Sequence, residues 1–215
     1  MAEYVVVPAD RIAFTSAGLS PVDAASLVVG GATALIALRD SVRLVKGERV
    51  LVRGAAGGVG TAAVQPAHAI GGRVTAPARD RHAKALGDLG ADQVLDHADT
   101  TPEQSGPFDV IVDTVGSDLS RYRRRLTDGG RMVTVALSGP ILAAIAASTV
   151  HGARLIRTFS ANPDSALLHD LADQVTFGAL YPVVADVYPL ADIASAHRAF
   201  QRGGVMGKHV VAISG

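Results

Sequence analysis

RVLVRGAAGGVG, residues 49–60, joins a short apolar run to a glycine-rich turn, and the small residues 61–64 follow. This order predicts a buried strand, a tight turn and the start of a helix. The turn matches the dinucleotide-binding fingerprint G-x-G-x-x-G with alanine at its first position: Ala55, Gly57 and Gly60. Ala55 allows a sharp turn, Gly57 lets a pyrophosphate approach the backbone, and Gly60 lets the helix pack closely on the strand. The unpaired N–H groups at the start of the helix face the anion, so the stretch predicts a dinucleotide site.

From residue 49 onward, strand-like and helix-like stretches alternate along the chain. Predicted strands cover residues 50–52, 73–76, 93–95, 110–113, 132–137 and 153–158, and predicted helices cover residues 59–70, 79–89, 118–126, 141–148 and 165–177. Such alternation is typical of βαβ units, in which a parallel sheet carries helices on both faces. The predicted fold class is therefore α/β, with a Rossmann-type doubly wound parallel sheet.

A helix precedes this alternating region. Ser20 is a suitable N-cap and Pro21 suits the first helical position, so we expect a helix whose body covers residues 24–39. Gly30 and Gly31 lie in its middle. Because paired glycines destabilise a helix, we expect a close approach by backbone or ligand at this point.

The two ends of the chain have a different character. Residues 4–7 predict a short strand, residues 181–189 an extended segment bracketed by prolines, residues 190–202 a helix and residues 208–213 a last strand.

In the region between the two ends, Pro66 falls inside the helix that follows the glycine turn. It removes a backbone hydrogen bond at a cost of about 3 kcal/mol, so we expect that helix to be bent or shortened.

Composition excludes several classes of function. The formal net charge of the 215 residues is zero, so we expect no general attraction to nucleic acid or to an anionic membrane. Cysteine is absent, which excludes disulfides, thiolate metal sites and a cysteine nucleophile. The apolar stretches 25–38 and 141–147 fall short of a membrane span or are interrupted, and the first residues lack the pattern of a signal peptide. We therefore expect a cytoplasmic protein.

Other chemistries find little support in the sequence. The seven histidines show no metal-binding spacing, and no G-x-S-x-G motif of a serine hydrolase occurs. Residues 121–125, Arg-Tyr-Arg-Arg-Arg, form a strong basic run. Because no second basic patch accompanies this run, we expect it to be a solvated helix face and not a nucleic-acid site.

The end of the second predicted strand bears on the choice of nicotinamide cofactor. A carboxylate about 20 residues beyond the glycine motif would hold the ribose 2′-OH of NAD, whereas a nearby arginine suits the 2′-phosphate of NADP. Ala78 occupies the position of that carboxylate, and Arg79 and Arg81 are fixed cations beside it. These residues favour NADP(H), while Asp80 keeps NAD(H) open as the alternative.

Ligands of open α/β sheets bind outside the carboxyl ends of the strands. Residues there are expected to face the dinucleotide, and those after the fifth and sixth strands to lie near the nicotinamide. The residues expected to face the dinucleotide, with the rest of the glycine turn included, are Gly58, Val59, Val115, Gly116, Val135, Ala136, Leu137, Phe159 and Ser160. Each apolar member could equally belong to the core.

Several stretches resemble the medium-chain dehydrogenase/reductases, and within them the zinc-independent quinone oxidoreductase branch. The similarity covers nearly the whole chain and is carried by residues 47–60, 89–96, 108–116, 129–131 and 207–211. It implies a six-stranded sheet. It also implies NADPH-dependent hydride transfer to a small molecule such as a quinone or an alkene conjugated to a carbonyl.

The resemblance also implies roles for single residues. It places Thr33 beside the nicotinamide. The lysine and tyrosine that contact the 2′-phosphate in this branch correspond to His82 and His97, a departure that weakens phosphate binding above the unperturbed histidine pKa of about 6.5. The cysteine that binds zinc in the zinc-using relatives corresponds to Val29, which cannot bind a metal, so we expect no zinc. The resemblance identifies no catalytic residue.

The family's domain division implies that residues 1–19 and 181–215 belong to a GroES-like catalytic barrel and that residues 20–180 form the NAD(P)-binding Rossmann domain. Because most of that barrel is missing from the sequence, we expect the chain to be part of a longer enzyme. Two alternatives stay open: the enoyl reductase piece of a larger synthase, and a non-catalytic dinucleotide-binding module. In the second case an exposed sheet edge could pair with another copy as a homodimer.

Overall fold

The computed structural model of the protein describes residues 4–150 and 154–213, and a six-stranded parallel sheet forms its centre. The strands are β1 (Arg49–Arg53), β2 (Arg73–Ala78), β3 (Gln93–Asp96), β4 (Phe108–Asp113), β5 (Leu126–Thr134) and β6 (Ile156–Arg157). Their order in the sheet is β3-β2-β1-β4-β5-β6. This is the strand order of a dinucleotide-binding fold, whose ligand crevice lies where the order reverses, between β1 and β4. The predicted fold class is confirmed.

Helices cover both faces of the sheet. They are α1 (Pro21–Leu35), α2 (Gly60–Ala69), α3 (Ala83–Asp88), α4 (Leu119–Arg123), α5 (Gly139–Val150) and α6 (Ser165–Thr176). Strand β1 shows the two-sided burial directly: Val50 and Val52 belong to the hydrophobic cluster on one face, and Leu51 belongs to the cluster on the other. Buried strands of this kind are expected to lack polar alternation.

The pair of glycines in α1 marks a close approach of backbone, as expected. A Cβ atom on Gly30 would lie 2.3 Å from the carbonyl oxygen of Gly58, and one on Gly31 would lie 2.4 Å from Cδ1 of Leu171. The helix begins as predicted, because the Ser20 hydroxyl accepts a hydrogen bond from the backbone N–H of Asp23. The helix therefore packs on the glycine turn through its glycine face.

The same helix corrects one expectation. It continues into a π-helical segment, Ile36–Ser41, so the whole stretch Pro21–Ser41 has 21 residues and a mean hydropathy of 1.7 in its most apolar window. By length and composition this is enough for a membrane span, and the expectation that residues 25–38 fall short of one was wrong. Half of that window is buried inside the fold, where the helix packs against α2 and α6.

Helix α2 corrects part of a second expectation, namely that Pro66 shortens this helix. It runs through Pro66 to Ala69, so it is not shortened at the proline. Residues 60–67 are all buried in the fold. Tertiary burial supplies most of the stability of a helix in a protein, and here it outweighs the hydrogen bond that Pro66 cannot donate.

The last part of the chain forms β7 (Val184–Pro189), α7 (Ile193–Arg202) and β8 (Lys208–Ala212), with β7 and β8 as a two-stranded parallel sheet. At the other end, the strand predicted over residues 4–7 was wrong. Residues 4–8 have no regular structure, and Val6 is 99% exposed. No strand pairs with them in the described part of the chain, so their backbone groups lack the partners that a strand needs.

The bounds of β5, α4 and β6 also differ from the expected ones. Strand β5 begins at Leu126, where it pairs with Phe108, and it ends at Thr134, so residues 135–137 lie in the following loop. This early start of β5 limits α4 to five residues. Strand β6 is shorter than predicted, and the predicted start of that strand at residue 153 lies outside the described residues.

Candidate functional site

The glycine turn joins β1 to α2 at the carboxyl edge of the sheet. The sharp turn is made at Gly54, whose φ is +69°, and not at Ala55, which is fully buried. The reason is that glycine adopts positive φ at no steric cost, whereas alanine does not. A Cβ atom on Gly60 would lie 2.1 Å from the carbonyl oxygen of Gly54, so the helix packs directly on the turn, as predicted.

An open cleft of about 700 Å³ lies beside this turn. Its walls come from the turn itself, from the ends of β2 and β4, from the residue after β3, and from the segment that joins α7 to β8. The described residues that line it are Gly54, Ala56, Gly57, Gly58, Pro77, Ala78, Arg79, His82, His97, Thr114, Val115, Phe200, Gly203, Gly204, Val205, Gly207, Lys208 and His209. The cleft thus lies at the switch point where such sheets bind their ligands.

The structure brings part of the predicted site together here. The predicted residues that line the cleft are Gly57, Gly58, Ala78, Arg79, His82, His97 and Val115. The others do not line it: they are Thr33, Ala55, Val59, Gly60, Arg81, Gly116, Val135, Ala136, Leu137, Phe159 and Ser160. Contact of these residues with a cofactor stays a prediction. Three of them are buried in the fold: Gly60, Thr33 at 5% exposure and Ala55 at 0%.

The ionisable side chains of the cleft wall are basic. They are Arg79, His82, His97, Lys208 and His209, and no aspartate or glutamate lines the cleft in residues 4–150 and 154–213. Although the formal net charge of the chain is zero, the cleft itself is lined by one sign of charge. Such a cleft attracts anions.

Three basic side chains meet at Gly204, at the end of the cleft beside β2: Arg79 and His82 of the cleft wall, and Arg81, which does not line the cleft. The Arg81 guanidinium donates a hydrogen bond to the Gly204 carbonyl, and Nε2 of His82 lies 3.2 Å from the same oxygen. A Cβ atom on Gly204 would lie 2.3 Å from Nη1 of Arg79. Ala78 precedes them at 6% exposure, so no carboxylate stands at the position where NAD-binding sheets carry one.

Two residues that sequence reasoning did not assign to the site come from the start of β8. The Gly207 N–H donates to the Ala56 carbonyl at 2.8 Å, so β8 begins on the glycine turn. The side chain of Lys208 then lies over Gly58, where a Cβ atom would be 2.2 Å from Cε of the lysine. The sequence similarity noted at residues 207–211 was a signal for this segment, but it did not show that the segment reaches a turn 150 residues away.

A buried ion pair supports the floor of the cleft. Arg53 and Asp113 end the neighbouring strands β1 and β4 in register, and Arg53 Nη1 lies 2.5 Å from Asp113 Oδ1. The Arg53 guanidinium also donates to the Ser117 carbonyl at 2.6 Å and lies 3.8 Å from the centre of the Tyr122 ring, while Asp113 accepts from the Thr134 hydroxyl at 2.8 Å. Sequence reasoning missed this pair, although a charge at the end of each of two apolar strands was a usable signal.

The basic run at residues 121–125 is less solvated than expected. Arg121 donates to Glu103 at 2.6 Å, and this hydrogen bond lowers the pKa of Glu103 to about 2. Arg123 donates to the Arg154 carbonyl, and Arg125 donates to the Ser105 carbonyl at 2.7 Å. The run is therefore bonded to its own fold to a large extent.

The comparisons with known proteins agree with this architecture. The family model described as zinc-binding dehydrogenase matches residues 89–211, which is more than half of the 215 residues. The chain belongs to this family, within the medium-chain dehydrogenase/reductases. The resemblance seen in the sequence is confirmed at that level.

Among relatives, this medium-chain dehydrogenase/reductase is 28% identical to the mitochondrial NAD(P)H oxidoreductase RTN4IP1 of Danio rerio, over 99% of this chain and 62% of that protein. It is 32% identical to an NAD-dependent alcohol dehydrogenase of Sulfolobus acidocaldarius, over 99% of this chain and 64% of that protein. The solved quinone oxidoreductase of Coxiella burnetii superposes with a TM-score of 0.80 at 28% identity, over 88% of this chain and 60% of that one. The chain thus spans 62% of the length of the first of these relatives.

The residues of the cleft fit the dinucleotide that such a family implies. A Cβ atom on Gly57 would meet only the Gly54 carbonyl oxygen, at 3.3 Å, so the face of Gly57 toward the cleft is open for a pyrophosphate. Both ring nitrogens of His209 are buried without a hydrogen-bond partner among the described residues. Buried polar groups of this kind are normally satisfied by a partner, which a bound ligand can supply.

The same residues give no cluster for a metal ion. In residues 4–150 and 154–213, no group of three or more histidine, cysteine, aspartate or glutamate side chains is placed to hold one. Val29, which corresponds to the cysteine ligand of zinc-using relatives, is 62% exposed on α1. That the protein works without zinc stays a prediction.

Proposed function

We propose that the cleft binds NADP(H). We further propose that the chain supplies the cofactor-binding part of an oxidoreductase that transfers a hydride between the nicotinamide and a small molecule such as a quinone or an enone. One observation carries the cofactor proposal: Arg79, Arg81 and His82 meet at Gly204, beside an alanine where an NAD-binding site carries an acid.

The preference for a 2′-phosphate follows from the charge and shape of this end of the cleft. Arginine presents forked donors that suit phosphate oxygens, and its charge persists across the working pH range. The Gly204 carbonyl already accepts from Arg81 and lies within hydrogen-bond distance of His82, so an oxygen acceptor fits among these side chains. Asp80, the alternative partner for the ribose 2′-OH of NAD, is exposed and does not line the cleft.

The glycine turn orients the other end of the nucleotide. The start of a helix suits an anion such as the pyrophosphate, and Gly57 leaves room for it beside the start of α2. When bound, the cofactor supplies a hydride from C4 of the nicotinamide. The chain's part is to hold the dinucleotide in one orientation, which lowers the entropy cost of the reaction.

The substrate class rests on similarity to proteins described as quinone and NAD(P)H oxidoreductases. A quinone and an enone share an electron-poor carbon conjugated to a carbonyl, and either accepts a hydride. We propose this class for the whole enzyme and expect the 215-residue chain alone to bind the cofactor while turning over slowly or not at all. Steady NADPH oxidation by the purified chain with a soluble quinone would contradict that expectation.

We also propose that the enzyme works without zinc, because Val29 stands at the position of a cysteine ligand and valine cannot bind a metal. Elemental analysis of the purified chain should find far less than one zinc ion per chain, and prior treatment with a chelator should leave the NADPH dissociation constant unchanged. Stoichiometric zinc that survives dialysis would contradict this proposal.

A homodimer is a further proposal. Strand β6 has β5 as its neighbour on one side only, so its other edge is unpaired in the described part of the chain and could pair with a second copy. Sedimentation should give twice the monomer mass at micromolar concentration. A monomer mass that persists as the concentration rises would contradict it.

Calorimetric titration with NADPH and with NADH, at one pH and salt concentration, tests the cofactor assignment. We expect NADPH to bind more tightly, and Arg79→Ala to weaken NADPH by about tenfold or more while leaving NADH nearly unchanged, because a charge-assisted hydrogen bond contributes about 1.5–3 kcal/mol. Arg73→Ala is the matched control, since Arg73 lies at the opposite end of the same strand. A preference for NADH, or an equal loss for both cofactors, would refute the 2′-phosphate site.

A further inference from the structure

A short loop after β4, residues 114–117, forms part of the cleft wall and is called the β4 loop below. Thr114 and Val115 line the cleft, and Val115 is 50% exposed. A Cβ atom on Gly54 would lie 2.3 Å from Oγ1 of Thr114 and 3.1 Å from Cγ2 of Val115. The β4 loop therefore lies directly against the glycine turn, and its position determines the shape of the cleft beside that turn.

Arg53 holds both ends of the β4 loop. Its backbone carbonyl accepts hydrogen bonds from the Thr114 N–H at 3.3 Å and from the Thr114 hydroxyl at 2.8 Å. Its guanidinium donates to the Ser117 carbonyl at 2.6 Å and to the Ser117 hydroxyl at 3.2 Å. Arg53 is not itself among the described residues that line the cleft, so any effect on a ligand passes through the loop.

Asp113 holds the middle of the same loop. Its Oδ1 pairs with Nη1 of Arg53 at 2.5 Å, and its Oδ2 accepts a hydrogen bond from the Gly116 N–H at 2.9 Å. The φ of Gly116 is +85°, a conformation that glycine adopts at no steric cost. Three of the four loop residues are thus bonded to Arg53 or Asp113, and the fourth, Val115, contributes an exposed apolar surface to the cleft.

Burial and the shape of the arginine side chain make this arrangement specific. The side chains of Arg53 and Asp113 are 7% and 0% exposed, and the Tyr122 ring covers the guanidinium with its centre 3.8 Å away. Arginine presents several N–H donors in one rigid plane, so a single guanidinium can bond a carboxylate and a loop carbonyl together. The ammonium group of a lysine lacks that geometry.

We propose that Arg53 is a cofactor-positioning residue, which holds the β4 loop so that Val115 packs against the adenosine half of the dinucleotide. The adenosine half is favoured because Val115 lines the same cleft as Ala78, Arg79 and His97, where the 2′-phosphate is proposed to bind. This inference rests on the proposed function, because it requires a dinucleotide in the cleft. Since adenosine is common to NADP(H) and NAD(H), Arg53 supports the binding of both.

The alternative is that the ion pair only stabilises the fold. Arg53→Lys separates the two roles, because lysine keeps a positive charge beside Asp113 but not the planar donors that reach Ser117. A double variant, Arg53→Met with Asp113→Asn, removes both charges and keeps an acceptor oxygen at residue 113. Arg49→Lys is the matched control, since Arg49 begins the same strand, pairs with Asp109 at 3.4 Å and does not line the cleft.

Two measurements on the full chain test the proposal: dissociation constants for NADPH, NADH and 2′-AMP, and amide hydrogen exchange in the β4 loop. We expect Arg53→Lys and the double variant to weaken all three nucleotides alike by about fivefold to tenfold, the equivalent of one or two hydrogen bonds. Exchange in the loop should be faster by about tenfold, because local opening becomes easier. The unfolding midpoint of the double variant should stay within a few degrees of the wild type, and Arg49→Lys should match the wild type throughout.

Three results would overturn the proposal. Wild-type affinity of both variants for all three nucleotides would show that Arg53 has no effect on the cofactor. Weaker binding with a lower unfolding midpoint and unchanged exchange in the loop would show that the pair only stabilises the fold. A loss confined to NADPH and 2′-AMP would assign the effect to the 2′-phosphate and not to adenosine. Failure of the proposed function is a separate result, in which the wild type itself binds none of the three nucleotides.

Discussion

Asp113→Ala removes the carboxylate at the centre of the buried network under the cleft. The side chain of Asp113 is fully buried. It accepts three hydrogen bonds: from Nη1 of Arg53 at 2.5 Å, from the Gly116 N–H at 2.9 Å and from the Thr134 hydroxyl at 2.8 Å. Alanine leaves all three donors without this acceptor.

The size of the effect follows from the charge that stays behind. The side chain of Arg53 is 7% exposed, so it cannot recover its lost partner by turning into water. Removal of one member of a buried ion pair typically costs about 3–5 kcal/mol. At about 2–4 °C per kcal/mol for a chain of this size, we expect the unfolding midpoint to fall by roughly 6–20 °C.

Urea denaturation and thermal unfolding, both followed by circular dichroism, measure this loss. Asp128→Ala is the matched control: its carboxylate pairs with Arg154 at 2.7 Å, but its side chain is wholly exposed. Exposed pairs contribute about 0–1 kcal/mol, so the control should unfold close to the wild type. A loss below about 1 kcal/mol for Asp113→Ala would refute the view that this network holds the carboxyl ends of β1, β4 and β5 together.

Two further predictions concern the turn and the surface. Gly60→Ala should abolish NADPH binding and lower the unfolding midpoint, because the added Cβ would lie 2.1 Å from the Gly54 carbonyl oxygen; a variant that binds like the wild type would contradict the packing of helix on turn. Glu103 should titrate in an NMR experiment near pH 2 and not near its ordinary 4.5, because Arg121 lowers its pKa to about 2. The pair therefore stabilises the fold above the ordinary pKa of a glutamate and loses that effect as the pH falls through about 2, and Arg121→Ala should return the titration toward 4.5.

The features that the sequence could predict are those that depend on neighbouring residues. The cap at Ser20 and the close packing at Gly60 are local consequences of residue type, and both are confirmed. The six-stranded parallel sheet followed from the alternation of elements together with the family resemblance. Arg79 could be assigned to the cleft because it follows a strand that ends at the binding edge of the sheet, whereas His82 and His97 were assigned from the family resemblance; all three line the cleft.

The features that the sequence could not predict depend on contacts between distant residues. Helix α2 runs through Pro66 because the fold buries that helix, which no local propensity shows. Residues 4–7 have strand-like composition, but a strand needs a neighbour, and none lies beside them in the described part of the chain. Lys208 reaches the glycine turn only because β7 and β8 return the chain to Ala56. Sequence patterns identify such residues but do not show which other residues they contact in the fold.

A crystal structure of the chain with NADP⁺ would show where each phosphate of the bound cofactor lies. We expect the pyrophosphate over Gly57, at the start of α2, and the 2′-phosphate within hydrogen-bond distance of Arg79 or Arg81, in the place where the Gly204 carbonyl now lies. A nucleotide bound outside this cleft, or one whose 2′-phosphate points into solvent away from both arginines, would contradict it.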